Sequence, residues 1–175
     1  RCDSSLKVIF VSSTSVYGNN SLIASEDSPT RPSKTSGNQV LAAERIIQAH
    51  FGSNAAIVRF AGLFGPDRHP GRFLKANTAL VNPNGKINLI HLEDCIALIT
   101  AIIEKDAYGE IYNGCSDEHP TRADFYTKAA YALSMEAPVY DPTLPPVGKI
   151  VSNEKSKNKL GLIYKYAKPE LFFDD

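Results

Sequence analysis

The sequence predicts an α/β fold built on a parallel sheet. Residues 7–12 and 55–60 are short runs rich in β-branched and other apolar residues, without polar alternation, which is typical of strands buried on both faces. Between them, apolar residues recur at helical spacing over 39–50, with charged and polar residues on the other face. Strand, helix and strand in this order indicate the crossover connection that two parallel strands require.

Shorter elements continue the alternation of strands and helices. Residues 88–92 are predicted to form a strand, and a helix follows whose expected cap is Asp94. The residues expected on the inner face of this helix are Ile96, Ile99, Ile102 and Ile103. A further short strand is predicted over 110–113, so the parallel sheet would have two or three strands and open edges.

Two more helices are predicted in the last third of the chain. Thr121 and Asp124 have the spacing of a capping box, which opens a helix that runs to about residue 135. Asn153 is the expected cap of a short last helix that ends at Gly161.

Charge and cysteine content exclude several classes of protein. The 19 basic residues are balanced by 19 acidic residues, whereas a nucleic-acid-binding protein carries an excess of positive charge. The longest mainly apolar stretch, 95–103, is far shorter than the roughly 20 residues that a membrane span needs, and no signal-peptide pattern opens the chain. Three widely spaced cysteines lack metal-ligand spacing and favour a reducing compartment. We therefore expect a cytoplasmic protein without a metal site, and no nucleic-acid or membrane partner.

Hydroxyl side chains come directly at the end of the first predicted strand. Ser12, Ser13 and Thr14 stand there, and ligands of open α/β sheets bind just outside the carboxyl ends of the strands. A small hydroxyl at this place can form a hydrogen bond with a hydroxyl or carbonyl of a substrate. A turn rich in Ser and Thr can equally serve to cap the strand, and then the hydroxyls have a structural role alone.

Five segments, taken together, resemble the NAD-dependent epimerase/dehydratase family of the extended short-chain dehydrogenases/reductases. In chain order they are 12–18 (SSTSVYG), 42–44 (AAE), 59–66 (RFAGLFGP), 90–94 (IHLED) and 111–113 (IYN). Each segment alone is weak evidence, but five in this order and spacing are specific. The resemblance covers about residues 7–165.

The resemblance implies the later strands of a Rossmann-type parallel sheet, joined to a small mixed substrate-binding lobe. Residues 1–66, with the strand near 110–114, would form the carboxyl-terminal part of the NAD(P)-binding domain, and 67–109 with 115–175 the substrate-side lobe. The glycine-rich turn that holds the pyrophosphate in this family, G-x-G-x-x-G or G-x-x-G-x-x-G, occurs nowhere in the sequence. We therefore expect the first βαβ unit of such a domain to lie outside this chain.

The resemblance also implies catalytic positions, of which only part is kept. The strand-end serine of the family corresponds to Ser13. The catalytic Tyr and Lys would stand eight and four residues before Glu44, where this sequence has Ser36 and Val40. A serine hydroxyl does not ionise as a phenol does, and Val40 has no charge. A reaction of the family type would need another base.

Cofactor and substrate positions follow from the same resemblance. The residues implied near the nicotinamide are Ser12, Phe60, Ala61, Gly62 and Leu63. The candidates on the substrate side are Thr14, Tyr17, Arg72 and His91.

Two of these candidates also have a purely structural interpretation. Arg72 belongs to a basic cluster with Arg68, His69 and Lys75 that can hold a phosphate or carboxylate, or can be a solvated loop. His91 can form an acid/base pair with the nearby Asp94, or be a structural residue beside a helix cap.

The sequence therefore predicts an NAD(P)-dependent epimerase, dehydratase or related oxidoreductase of an atypical kind. Its substrate would be a nucleotide-sugar-like or other hydroxylated small molecule, and its cofactor NAD or NADP. The alternative is a non-catalytic dinucleotide-binding sensor, which the loss of the Tyr–Lys pair favours. Members of the family dimerise through helices, so the helix over 39–50 is the candidate contact of a homodimer.

Overall fold

The computed structural model describes residues 3, 5–18, 23–74, 79–141, 143 and 148–174. Three parallel strands form its central sheet in the order β1 (Val8–Ser13), β3 (Ala55–Phe60) and β7 (Ile111–Gly114). Every residue of β3 is buried, as expected for the middle strand of a covered parallel sheet. The predicted α/β class is confirmed.

Helix α1 (Thr35–Phe51) is the crossover that leads from β1 to β3, and it begins earlier than the predicted residue 39. Its buried residues are Gly37, Leu41 and Glu44. Gly37 has no room for a side chain, because a Cβ there would lie 2.9 Å from the carbonyl oxygen of Ser15. The first turn of α1 is thereby held close to the turn that follows β1. Gly52, with a φ of 53°, ends the helix as predicted.

Helix α2 (Leu92–Glu104) follows strand β6 (Leu89–His91) and packs on the sheet. Its buried face includes Leu98 and Ile102, but Ile96 and Ile103 are each 56% exposed, so the predicted inner face is half wrong. The helix is apolar on several sides, and such a pattern does not by itself select the face that packs. The predicted boundary assigns α2 to the substrate-side lobe. The boundary stays a prediction, and this packing argues against that part of it.

Three pairs of short parallel strands connect later segments with earlier ones. β4 (Gly62–Phe64) pairs with β6, β2 (Ile23–Ala24) with β9 (Ile150–Val151), and β5 (Leu80–Val81) with β8 (Tyr140–Asp141). Each pair joins two segments that are far apart in the chain.

The last two helices are α3 (Arg122–Tyr131) and α4 (Glu154–Leu160). The predicted capping box of α3 is confirmed, because the Thr121 hydroxyl accepts a hydrogen bond from the amide of Asp124. Asn153 precedes α4 but forms no side-chain cap; its amide group donates instead to the carbonyl oxygen of Cys115 and to Asp117.

An aromatic cluster forms a second core beside the sheet. Its members are Phe64, Phe125 and Tyr166, against which Tyr126, Phe172 and Phe173 pack. Across the residues that the structure describes, no helix combines the length and the apolar character needed to cross a membrane.

Candidate functional site

A cleft of about 910 Å³ opens where β1 and β3 end. The turn that follows β1 lines the cleft through Ser13 and Thr14, and we call it the hydroxyl turn. The segment after β3 lines the cleft through Ala61 and Gly62. Four of the predicted site residues are thus brought together at the carboxyl ends of neighbouring strands. This is the edge at which open α/β sheets bind ligands.

Four basic side chains line the same cleft, and among its described lining residues there is no carboxylate. The four are Lys34, Lys86, Arg122 and Lys149. Ion pairs with described carboxylates occupy many lysines elsewhere, such as Lys157 with Asp117, but none of the four. We refer to this space as the basic cleft. Its uncompensated charge favours an anionic ligand.

Two of these cations are already partly removed from water. The Nε atom of Arg122 is buried and has no hydrogen-bond partner among the described residues. The Nζ atom of Lys149 donates to the backbone carbonyl of Tyr17 at 3.0 Å, and burial lowers the pKa of Lys149. Both residues also line the basic cleft, so an anion there would neutralise positive charge that no described carboxylate compensates.

Ser13 combines the two roles that the sequence left open. Its Oγ atom accepts a hydrogen bond of 3.1 Å from the amide of Ser15 and so caps the short 3-10 turn over Thr14–Val16. It also lines the basic cleft. A hydroxyl that accepts from a backbone amide still has its proton to donate, and no described hydrogen bond uses that proton.

A buried polar network lies beneath the hydroxyl turn and was not predicted. The guanidinium of Arg59 binds both carboxylate oxygens of Glu44, at 2.9 and 2.7 Å, and donates to the phenol oxygen of Tyr17 at 2.9 Å. Tyr17 donates in turn to Asn113 at 2.9 Å, and the Ser12 hydroxyl donates to Glu44. The network joins α1 to all three strands of the sheet.

This network decides where two predicted site residues point. Ser12 and Tyr17 are 7% and 2% exposed, their hydroxyls are used inside the network, and neither lines the basic cleft. Burial raises the pKa of Tyr17 although Arg59 beside it acts in the opposite direction, so the phenol keeps its proton. The structure favours a structural role for both, and their predicted roles at cofactor and substrate stay untested.

The remaining cofactor candidates differ in their surroundings. Phe60 is 6% exposed and packs in the main core, where a Cβ on Gly114 would meet its ring at 2.5 Å. Leu63 is 45% exposed and lines a second pocket next to the basic cleft.

Arg72 and His91 lie away from the basic cleft. Arg72 is exposed on a 3-10 turn over Pro70–Phe73. His91 is 1% exposed, and its Nδ1 atom accepts from the amide of Glu93, so that His91 itself caps α2. Its ring lies 3.8 Å from that of Tyr166, centroid to centroid. Lys75, of the predicted basic cluster, is outside the described residues.

The prediction that Asp94 caps this helix is wrong. Its carboxylate accepts hydrogen bonds from the amides of Lys165 and Tyr166, at 2.7 and 3.0 Å. Asp94 therefore joins the carboxyl-terminal segment to α2. The helix begins three residues earlier than the pattern indicates, with His91 rather than Asp94 as its cap.

The two positions of the expected Tyr–Lys pair carry no acid or base and do not line the basic cleft. Ser36 is exposed in the first turn of α1, and Val40 packs beside Val16 and Tyr17. Lys34, which directly precedes α1, does line it. Within the described ranges, no group of His, Cys, Asp and Glu residues is arranged to hold a metal ion.

Comparison with known proteins gives a consistent result. The model of the NAD dependent epimerase/dehydratase family matches residues 1–115. Protein YeeZ of Escherichia coli (strain K12) is 40% identical over 164 residues, which are 93% of this chain and 60% of that protein. The chain thus spans about 60% of the length of the curated relatives that it matches.

Solved structures share the fold. A functionally unknown conserved protein from Silicibacter pomeroyi DSS superposes with a TM-score of 0.82 at 26% identity, over 95% of this chain and 64% of that one. UDP-glucuronic acid 4-epimerase from Bacillus cereus, in complex with UDP-glucuronic acid and NAD, superposes with a TM-score of 0.77 at 20% identity, over 95% of this chain and 58% of that one. At this identity the second likeness shows the fold alone.

Proposed function

The chain belongs to the NAD-dependent epimerase/dehydratase family, and from that premise we propose that the protein oxidises, epimerises or dehydrates an anionic, hydroxylated small molecule with a nicotinamide cofactor. The single observation that carries the proposal is the basic cleft. It places the Ser13 hydroxyl among four cations without carboxylate partners, at the carboxyl ends of the strands.

The chain's own residues fit the reacting end of the cofactor. Ala61 and Gly62 line the basic cleft beside Ser13, and because neither carries more than a methyl group they leave space for a flat ring. These residues would hold the nicotinamide, which supplies hydride transfer when bound. The glycine-rich turn for the pyrophosphate does not occur in the sequence, so this chain provides part of a cofactor site. The family favours NAD as the cofactor, and NADP is the alternative.

Binding and orientation of the substrate fall to the cleft residues. The basic groups hold a phosphate or carboxylate, with Arg122 as the guanidinium among them. The Ser13 hydroxyl donates a hydrogen bond to the oxygen at which oxidation takes place and so orients that oxygen. A nucleotide sugar, with its diphosphate and hydroxyls, is one substrate of this description.

Lys149 is our candidate for the base that replaces the missing tyrosine. It lines the same cleft as Ser13, and burial lowers its pKa, which favours the neutral amine that a base requires. The amine can keep its hydrogen bond to the Tyr17 carbonyl in either protonation state, because a neutral amine still has N–H groups to donate.

The second candidate function is a dinucleotide-binding sensor without catalysis. It is favoured by Ser36 and Val40, since neither position of the expected catalytic pair carries an ionisable group. The sensor would use the same cleft to bind an anion without transforming it.

We further propose a cytoplasmic location and a homodimer through α1. Cys95 and Cys115 are free, and burial raises the pKa of both thiols to about 12. Free thiols are typical of a reducing compartment. The exposed face of α1 includes Ile46, which is 68% exposed.

The test uses full-length protein with NAD or NADP and a panel of nucleotide sugars and sugar phosphates. Absorbance of the reduced cofactor reports net oxidation, and NMR of the sugars reports epimerisation and dehydration. We expect turnover with at least one anionic sugar and a loss of at least tenfold in Lys149→Met, with Lys157→Met as the control. Cofactor binding and substrate binding without any turnover would support the sensor instead.

A further inference from the structure

A second, smaller pocket of about 230 Å³ adjoins the basic cleft, and we call it the apolar pocket. Its lining includes the rings of Phe64 and Phe125, which are 2% and 0% exposed and meet edge to face with centroids 6.2 Å apart. Leu63 and Phe73 also line it and remain 45% and 48% exposed. Large apolar side chains left half-exposed at an apolar pocket indicate a surface that a ligand covers.

Arg68, the charged residue among those described in this lining, is already engaged. Its Nε atom donates to the backbone carbonyl of Leu63 at 3.1 Å, and its guanidinium lies 4.9 Å from the centroid of the Phe73 ring. The guanidinium thus stacks on one wall of the pocket. The space that remains is bordered mainly by carbon atoms of Phe, Leu and Pro side chains.

The two spaces have common walls. Gly62, Leu89 and Tyr126 line both of them, and Gly62 and Leu89 are paired in register between β4 and β6. Tyr126 follows Arg122 by one turn of α3, and the guanidinium of Arg122 lies 6.0 Å from the centroid of the Tyr126 ring. A group bonded to an anion at Arg122 would therefore be one helical turn from the apolar pocket.

We infer that the two spaces bind one ligand: an anion, with a phosphate or carboxylate in the basic cleft, that carries an aromatic or comparably apolar group in the apolar pocket. The inference rests on the proposed function, because it names the class of substrate for the same cleft. It goes beyond that function because it assigns a second, apolar group of the ligand to the apolar pocket.

The composition of the apolar pocket favours a plain aromatic group over a nucleobase. The edges of a nucleobase carry donors and acceptors that need partners when they are buried. Around the pocket, the described side chains offer only the hydroxyl of Tyr126 and the engaged guanidinium of Arg68. An apolar pocket discriminates less sharply than a hydrogen-bonding site, but a polar ring edge buried there without partners still binds less tightly than an apolar ring.

Three phosphate monoesters test the inference by calorimetry on this chain without cofactor: methyl phosphate, 1-naphthyl phosphate and uridine 5′-monophosphate. We expect the naphthyl ester to bind at least about tenfold more tightly than the methyl ester, because its ring leaves water. We expect the uridine ester to bind more weakly than the naphthyl ester.

Variants assign the preference to the pocket. Leu63→Ser and Phe73→Ser, two partly exposed positions, should each reduce the ratio of naphthyl to methyl phosphate affinity to about threefold or less. Arg122→Gln should weaken the binding of all three esters. Val139→Ser, at a 72% exposed valine that lines neither space, is the control and should change nothing. Circular dichroism of each variant checks that the fold is kept.

The possible failures are distinguishable. Equal affinity for the methyl and naphthyl esters, a preference that survives both pocket variants, or a uridine ester that binds as tightly as the naphthyl ester overturns the inference alone. If none of the three esters binds, the basic cleft is not an anion site, and the proposed function loses its main support as well.

Discussion

Arg59 and Glu44 form a two-pronged ion pair in the interior, with side chains only 3% and 1% exposed. One comes from the middle strand of the sheet and the other from the crossover helix. Two charges so far from water are stable only because each oxygen and nitrogen finds a partner, and Tyr17 and Ser12 complete the set. This buried polar network therefore supports the turn that carries Ser13.

Removal of one member of this pair should destabilise the protein strongly. Glu44→Gln leaves the guanidinium of Arg59 buried without a counter-charge, and we expect the free energy of unfolding to fall by about 3–5 kcal/mol. Urea denaturation measures it. Asp106→Asn breaks the exposed pair with Lys7 and should change stability by less than about 1 kcal/mol. Similar effects of the two substitutions would contradict the role of the buried pair.

Ser13→Ala should affect both the fold and the ligand. The cap of the 3-10 turn is removed, and caps contribute about 0.5–2 kcal/mol. Loss of one hydrogen bond to a neutral group of the ligand should weaken binding or turnover in full-length protein by a factor of about 2–13. Thermal melts and ligand titrations on the same variant separate the two effects. Ser13→Thr keeps the hydroxyl as the control, and unchanged binding in Ser13→Ala would remove Ser13 from the site.

Stability should decrease in mild acid, in part because of His119. Burial lowers the pKa of His119, and Lys86 nearby acts in the same direction. Near pH 6.5, His119 therefore binds a proton in the unfolded chain but stays neutral in the folded chain. The free energy of unfolding should therefore fall as the pH is lowered through about 6.5. Urea denaturation at a series of pH values should show a smaller slope in His119→Gln than in His50→Gln, and equal slopes would refute the assignment.

The 175-residue chain alone should not bind NAD or NADP tightly. It provides Ala61 and Gly62 for the nicotinamide end, but its sequence lacks the glycine-rich turn whose amides hold the pyrophosphate. Calorimetry with both cofactors measures the affinity. Micromolar binding to this chain would show that other groups hold the pyrophosphate.

The chain should associate in solution. Among the described strands β1 pairs with β3 alone, so its other edge offers unpaired backbone groups, and Val11 on β1 is 55% exposed. Light scattering at increasing concentration measures the mass. If the contact is α1, Ile46→Lys should weaken association, whereas Ile163→Lys, at a 92% exposed residue elsewhere, should not. A monomer at high concentration would exclude both contacts.

Local patterns were sufficient for the elements that position the site. The strands near 8–13 and 55–60 and the helix between them follow from the residues that they contain. Where a helix is apolar on several sides, the spacing of apolar residues does not select the face that packs. The spacing therefore wrongly predicts Ile96 and Ile103 on the inner face of α2. The cap of α2 was assigned to Asp94 because that residue type is common at caps, although His91 fills the place.

The site itself was predicted only where its residues are close in the sequence. Ser13 and Thr14 were found because they follow a strand, and Ala61 and Gly62 because of the family resemblance. The four cations of the basic cleft come from four separate segments, and no sequence pattern connects them. Likewise, the carboxylate of Glu44 meets Arg59 only after the crossover has folded, so no local signal predicts their contact.

The hydrogen bond from Lys149 to the carbonyl of Tyr17 spans 132 residues of chain. A ribosome that adds about 5–20 residues per second needs roughly 7–26 s to make that stretch. Contacts between such distant residues also form late in refolding, because a long loop must first be closed. During synthesis, the hydroxyl turn is therefore made well before Lys149, which completes the lining of the cleft. Until then, chaperones or other chains can reach the open end of β1 in the nascent chain.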